Sequence, residues 1–225
     1  MSENIRVAID GPSGAGKSTL ARSVAARLNF LYVDTGAIYR TIGYAVWRKG
    51  IDPRDRSAVV AVLPDLEICL TYGTDGLQHM ELNGMDVTAE IRLPEVSRYA
   101  SLVSAYPEVR AYLLEMQRQL AREHSVLMDG RDIGTVVLPD ATVKIFLTAA
   151  PEARARRRWL EYQQKGMEVA FEDVLADVKQ RDYQDTHRAA APLKQAEDAV
   201  LLDTSDLNFE QSLAAMKKII AEKVN

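Results

Sequence analysis

The run Gly11-Pro12-Ser13-Gly14-Ala15-Gly16-Lys17-Ser18 fits the pattern G-x-x-x-x-G-K-[ST], and those residue types at that spacing point to phosphate chemistry. Glycines let backbone N–H groups converge on phosphate oxygens. A helix opening near Lys17 would add its positive dipole end, and the lysine would add a mobile ammonium. The Ser18 hydroxyl can sit on Mg2+. A bare glycine-rich connection is the alternative, but Lys-Ser in register between a strand-like and a helix-like segment argues for a nucleoside triphosphate cradle over Gly11 to Thr19. P-loops serve GTPases, motors and small kinases alike. The chain has no N-K-x-D guanine-reading motif and, at 225 residues, is short for a motor, which leaves a small ATP-dependent kinase as the leading class.

A kinase acting on a second phosphate must neutralise two phosphate groups and exclude water, so it needs arginines arriving from several segments. Arg40 follows Asp34-Thr35-Gly36-Ala37-Ile38-Tyr39, Arg131 follows Asp129-Gly130, and Arg181 and Arg188 bracket Asp185. Any one of these arginines could instead be solvated or paired with a nearby aspartate. Asp34 and Thr35 could cap a helix, touch substrate, or do both. Asp129 could orient Mg2+ through water or simply form a turn before Gly130. Arg154, Arg157 and Arg158 share one face of a helix if the spacing is helical. They read as a solvated face, as a phosphate-closing lid or as a nucleic-acid contact, and the lid suits a P-loop enzyme best.

The elements that must hold these residues alternate. Strand-like runs at Ile5–Ile9, Phe30–Val33, Ser125–Asp129, Val143–Leu147 and Ala199–Asp203 are interleaved with helix-like runs at Ser18–Leu28, Ile38–Lys49, Pro107–His124 and Pro151–Lys165. Two further helices are expected at Phe171–Arg181 and Phe209–Lys223, the last with a core stripe of Leu213, Met216, Ile219 and Ile220. The pattern predicts an α/β fold, a three-layer P-loop arrangement with a parallel sheet between helices. In such a sheet the carboxyl ends of the strands form the ligand crevice, which would gather Asp34, Thr35, Asp129, Arg131 and Asp132 beside the cradle. Short strands at Leu66–Tyr72, Gln78–Leu82 and Met85–Thr88 break the alternation, so residues 63–94 are expected to form a small antiparallel insertion in a single domain of residues 1–225.

Net charge is −4, from 28 basic and 32 acidic residues. No whole-molecule field favours a polyanion, and no nucleic-acid partner is expected. Cys69 is the only cysteine, which excludes an internal disulfide and suits a reducing, cytoplasmic setting; it reads as packing. No stretch has the length and apolarity of a signal or a membrane span. His79, His124 and His187 lack metal-ligand spacing, and Trp47 and Trp159 read as packing residues.

The segments GPSGAGKST (Gly11 to Thr19), DTGAIYR (Asp34 to Arg40), DGRDIGTVVLPDA (Asp129 to Ala141), KIFLTA (Lys144 to Ala149) and RDYQDTHR (Arg181 to Arg188) together resemble the bacterial cytidylate kinases in order and spacing over essentially the whole chain. Thr35 stands where some relatives carry serine, and Tyr183-Gln184 where many are more charged. The resemblance implies transfer of the γ-phosphoryl group of MgATP to CMP or dCMP by a protein expected to be a monomer. It implies that Arg40, Arg131 and Arg181, assisted by Arg188, hold the acceptor phosphate, that Ser101, Arg110 and Asp132 read the cytosine edge, and that Asp185 meets the sugar. Thr35 and Tyr39 join the acceptor contacts. Lys17, Arg131, Arg157 and Arg158 would stabilise the transferring group, residues 63–94 would serve the monophosphate, and residues 152–168 would form the lid. Another nucleoside monophosphate kinase, or a regulatory P-loop module with poor turnover, are the rival readings.

Overall fold

A computed structural model describes residues 4–74 and 76–224; residues 1–3, 75 and 225, which fall within the expected 1–225 domain, lie outside the described residues. In chain order the elements are β1 (Arg6–Asp10), α1 (Lys17–Leu28), β2 (Leu31–Asp34), α2 (Thr35–Arg48), α3 (Arg56–Val62), β3 (Ile68–Tyr72), β4 (Gln78–Leu82), β5 (Met85–Asp86), α4 (Pro94–Val103), α5 (Pro107–Glu123), β6 (Val126–Gly130), β7 (Val143–Thr148), α6 (Pro151–Gln164), α7 (Phe171–His187), β8 (Val200–Asp203) and α8 (Phe209–Val224). The chain divides into two compact units, Met1–Tyr32 with Ala121–Asn225, and Val33–Leu120.

The five-stranded sheet has the order β2-β6-β1-β7-β8, with β1 paired in parallel to β6 and β7, and β7 to β8; apart from Val33 and Asp34 of β2, its strands belong to the first unit. Parallel neighbours need long crossovers, which the helices supply. Because helices flank the sheet, β1, β6 and β7 are near-continuous apolar runs with little alternation. Val7, Ile9, Leu127, Ile145 and Leu147 pack against Leu20 and Val24 of α1 and against Leu213, Met216 and Ile220 of α8, the stripe expected from the sequence. A second, smaller core joins α6 to α7, where Ala155, Val174 and Val178 are capped by Trp159, Val169 and Phe171. Trp159 meets Phe171 edge-on and donates its Nε1–H to the Val169 carbonyl at 3.0 Å, which makes it a packing residue as expected.

In the second unit β3, β4 and β5 form an antiparallel sheet, registered Ile68↔Leu82 and Leu82↔Met85. Asn83 and Gly84, both at positive φ, close the two-residue hairpin between β4 and β5. Alternation along β3 turns Ile68 inward and Cys69 outward, so Cys69 is exposed and does not pack as its composition class suggested. Two helices here escape the sequence reading. Asp55 caps α3 by accepting from Ala58 N, and Pro94 at the first position of α4 starts a helix where it was read as the end of the strand region. Val96, Ala100 and Val103, spaced four and three apart, are its buried face.

Candidate active site

Gly11 leaves β1 at φ 151°, and a Cβ there would lie 1.9 Å from the Leu147 carbonyl oxygen, so only glycine lets the loop run this close to β7. Gly16, left-handed at φ 88°, ends the loop and α1 starts at Lys17. The P-loop therefore opens onto a helix N-terminus, where backbone N–H groups and the helix dipole favour an anion. Lys17 is 5% exposed and its Nζ donates to the Pro12 carbonyl at 2.8 Å. Burial pushes its pKa down to about 7, with repulsion from Arg131 adding and attraction from Asp129, Asp185 and Asp10 opposing. Ser18 is half-buried and Thr19 exposed on the first turn of α1.

Asp129, at the end of β6, accepts from the Ser18 hydroxyl at 3.1 Å and from the Tyr32 hydroxyl at 2.8 Å. The carboxylate thus faces the P-loop serine. Two residues on, Arg131 donates through Nε to Asp185 at 2.7 Å, and Asp132, 4% exposed, is ion-paired with Arg188 at 3.5 Å. Burial opposes ionisation of Asp185, but Arg131, Arg181 and Arg188 outweigh it and hold its carboxyl below the ordinary value. The first unit thereby brings Lys17, Ser18, Asp129 and Arg131 together with Asp132, Arg181, Asp185 and Arg188 around the carboxyl end of the sheet.

Asp10, which the sequence reading passed over, ends β1 and accepts from Ile133 N and Gly134 N, each at 2.7 Å. It holds the start of a π-helical turn, Ile133–Val137, directly after Asp132. Desolvation raises its pKa to about 6 against those two N–H groups. The signal was available: Asp10 closes a strand as Asp34 and Asp129 do. Tyr32 carried no such signal.

On α6 the arginines are committed to defined partners. Arg157 donates to the Thr204 carbonyl at 2.5 Å and, more weakly, to Ala15 O at 3.4 Å. Arg158 donates to the Tyr162 hydroxyl one turn along, at 2.8 Å. Arg154 lies under the P-loop backbone at Ser13.

In the second unit Asp34 caps α2 by accepting from Ala37 N at 2.9 Å, and its other oxygen accepts from Arg40 at 2.9 Å and Arg92 at 3.1 Å. Burial works against its charge, yet the two guanidinium groups hold its pKa below the ordinary value. Gln78 of β4 brackets the Asp34 backbone, accepting from its N–H and donating to its carbonyl. Arg40 keeps a buried Nε–H with no hydrogen-bond partner among the described residues. Thr35 is buried at the first turn of α2. Arg110 lies 5.2 Å over the Tyr39 ring and donates to the Ser104 carbonyl, while the Ser104 hydroxyl donates to the Ser101 carbonyl. Arg110 thus meets Tyr39 directly and reaches the Ser101 backbone through Ser104, which, like Arg92 and Gln78, the sequence reading did not single out.

Among the described residues no group of three or more His, Cys, Asp or Glu side chains is placed to hold a metal by itself. The donor set at Ser18 and Asp129 consists of hard oxygens, and Mg2+ is commonly held by one or two protein oxygens together with substrate phosphates, so these residues fit that ion. Among the described residues no helix is long and apolar enough to cross a membrane.

A family model described as cytidylate kinase matches residues 7–222. The cytidylate kinase of Desulfitobacterium hafniense (strain Y51) is 48% identical over 224 residues, covering 100% of this chain and 96% of that one. The cytidylate kinase of Caldicellulosiruptor bescii is 47% identical over 222 residues, covering 99% and 98%. Among solved structures, an uncharacterized protein from Eubacterium ventriosum aligns with a TM-score of 0.51 at 13% identity over 97% of this chain and 99% of that one, a likeness of fold alone.

Proposed function

We propose that this chain, which belongs to the cytidylate kinase family, transfers the γ-phosphoryl group of ATP to CMP or dCMP, giving ADP and CDP or dCDP. The observation that carries the proposal is the pairing of Arg131 with Asp185 and of Arg188 with Asp132 in the unit that also holds the P-loop. Those pairs supply cations for a second phosphate and a buried carboxylate for a base.

An acceptor phosphate oxygen is already ionised at neutral pH, so in-line attack on the γ-phosphorus needs no general base. Lys17 and Arg131 stabilise the negative charge on the transferring group, and ion pairing in a desolvated site makes that stabilisation large. Arg157 and Arg158 join them from the lid of residues 152–168, Arg158 exchanging Tyr162 for phosphate. Ser18, with Asp129 through water, would hold Mg2+, which would supply neutralisation of phosphate charge. Arg40, Arg131, Arg181 and Arg188 hold the acceptor phosphate, with Thr35 and Tyr39 alongside.

Asp132 accepts from the exocyclic amine of cytosine, while Arg110 and Ser101 meet the ring acceptors. Uracil presents a carbonyl where cytosine presents the amine. A buried carboxylate facing that carbonyl would meet an acceptor instead of a donor, which disfavours UMP. Asp185 meets the sugar, and residues 63–94 serve the monophosphate. The protein works as a cytoplasmic monomer.

The test is ADP formation from MgATP with CMP, dCMP, UMP, AMP or no acceptor. Fast turnover with CMP and dCMP alone is expected. A preference for UMP or AMP would reassign the acceptor, and turnover indifferent to acceptor would remove the kinase reading.

A further inference from the structure

Arg154 is the most heavily engaged side chain on α6, and the mechanism above does not use it. It is 3% exposed. Its Nη1 and Nη2 fork onto both carboxylate oxygens of Asp182 at 2.9 and 2.6 Å, the same Nη1 donates to the Ser13 carbonyl at 3.1 Å, and Nε donates to the Ala149 carbonyl at 2.8 Å. Four of the five N–H donors of a guanidinium are thereby taken, so this group is not a mobile lid charge. The P-loop also rests on its stem, since a Cβ at Gly14 would stand 3.5 Å from the Arg154 Cβ.

The partner carboxylate lies on the helix assigned to the acceptor. Asp182 follows Arg181, and Asp185 lies three residues on, which places Asp182 and Asp185 on one face of α7. Asp185 is held by Arg131 at 2.7 Å. Two successive turns of α7 are thus gripped by two arginines, one reaching the P-loop backbone and the other following β6. Holding α6 to α7 does not require Arg154, because Ala155, Val174, Val178, Trp159 and Phe171 already form a core between them. What Arg154 adds is the tie from that helix pair to Ser13.

We propose that Arg154 is a positioning residue that couples occupancy of the ATP cradle to the acceptor-binding face of α7, an inference that rests on the kinase reading above. Filling the loop with phosphate sets the Ser13 carbonyl. The rigid fork then transmits that setting to Asp182, and through α7 to Arg181 and Asp185. Lysine can substitute only in part, since a single ammonium cannot grip two oxygens and a carbonyl in one plane.

The experiment is calorimetric titration of the full chain with CMP, with and without saturating ADP. In the wild type ADP is expected to tighten CMP binding about fivefold, the lower end of ordinary coupling between sites. In Arg154→Met and Asp182→Asn that ratio should fall to about one, with the KM values for ATP and CMP rising together and Arg154→Lys intermediate. Loss of stability alone would lower the melting temperature and leave the ratio intact in the molecules that remain folded, an outcome that overturns the inference. So does a wild type that binds CMP with no response to ADP. Failure of the wild type to bind CMP at all would instead overturn the acceptor reading, and this inference with it. Should Arg154→Met not fold, Asp182→Asn decides the matter, because the Asp182 side chain is 25% exposed and an amide keeps one acceptor oxygen.

Discussion

Two sites, the P-loop with the end of β1 in the first unit and the start of α2 in the second, treat buried charge in opposite ways. In the first, Lys17 and Asp10 sit where desolvation wins, and each is drawn toward its neutral form, to a pKa of about 7 and about 6 respectively. In the second, Asp34 is as deeply buried, but Arg40 and Arg92 overcome desolvation and keep it ionised. A charge left under-compensated is available to a ligand of opposite sign. One that is fully compensated is part of the framework, where it caps α2 and aims Arg40. Charge at the P-loop therefore belongs to chemistry, and charge at Asp34 belongs mostly to stability.

The largest effect that would sharpen this contrast is at Lys17. Lys17→Met should lower kcat by roughly 10³-fold, the scale of losing one charge-stabilising donor in a dry site. Its denaturant midpoint should hold or rise, because an expensive buried ammonium has gone. A clear drop in stability with turnover preserved would break the contrast.

Next comes Asp34→Ala, which removes a helix cap and strands two guanidinium groups. A loss of about 3 kcal/mol in unfolding free energy is expected from urea titration. A change under about 0.5 kcal/mol, the ordinary scale of a surface substitution, would show that the cluster is not framework.

The smallest effect is a proton. At pH 8 a lysine with a pKa near 7 is mostly neutral in the nucleotide-free protein, and a phosphate beside it restores its ordinary high pKa. Binding of ADP should therefore take up about one proton, seen as a dependence of binding enthalpy on the ionisation heat of the buffer. Lys17→Met should lose this dependence. The same shift has a stability sign. With its folded pKa below its unfolded value, Lys17 holds fewer protons in the folded protein between about pH 7 and 10.5, so its contribution to stability rises with pH across that window. Asp10, raised from 3.8 to about 6, acts oppositely: its contribution is present below about pH 4 and is lost as pH rises through 6.

Much of the fold was legible because it is written locally. The five sheet strands were placed within about one residue at each end from apolar runs between turn residues, as boundary reading allows. Helix α7 runs six residues beyond the expected Arg181, to His187, because Asp185 faces inward to Arg131 and continues the helix on a polar partner that no apolar pattern records. Helix α4 was missed for a related reason: Pro94 reads as a breaker until it is recognised as a first-turn residue. Cys69 was misplaced because residue type sets a tendency to burial, while pleat register sets the face.

Contiguous residues determined the cradle. Gly11 to Ser18 act through their own backbone and the helix they begin, so motif and neighbours suffice to identify a triphosphate site. Only the tertiary structure decided which partner meets each buried charge. Ser18 and Asp129 are 111 residues apart, and Asp10 and Gly134 are 124 apart. Parallel pairing of β1 with β6 brings each of those pairs to the same sheet edge. Arg154 likewise belongs to an arginine-rich helix in the sequence, and becomes a tie between Ser13 and Asp182 through the way α6 packs on α7. Hydrogen-bond partners of buried ions are chosen by three-dimensional proximity in a low-dielectric interior, and that proximity has no local signature in the chain.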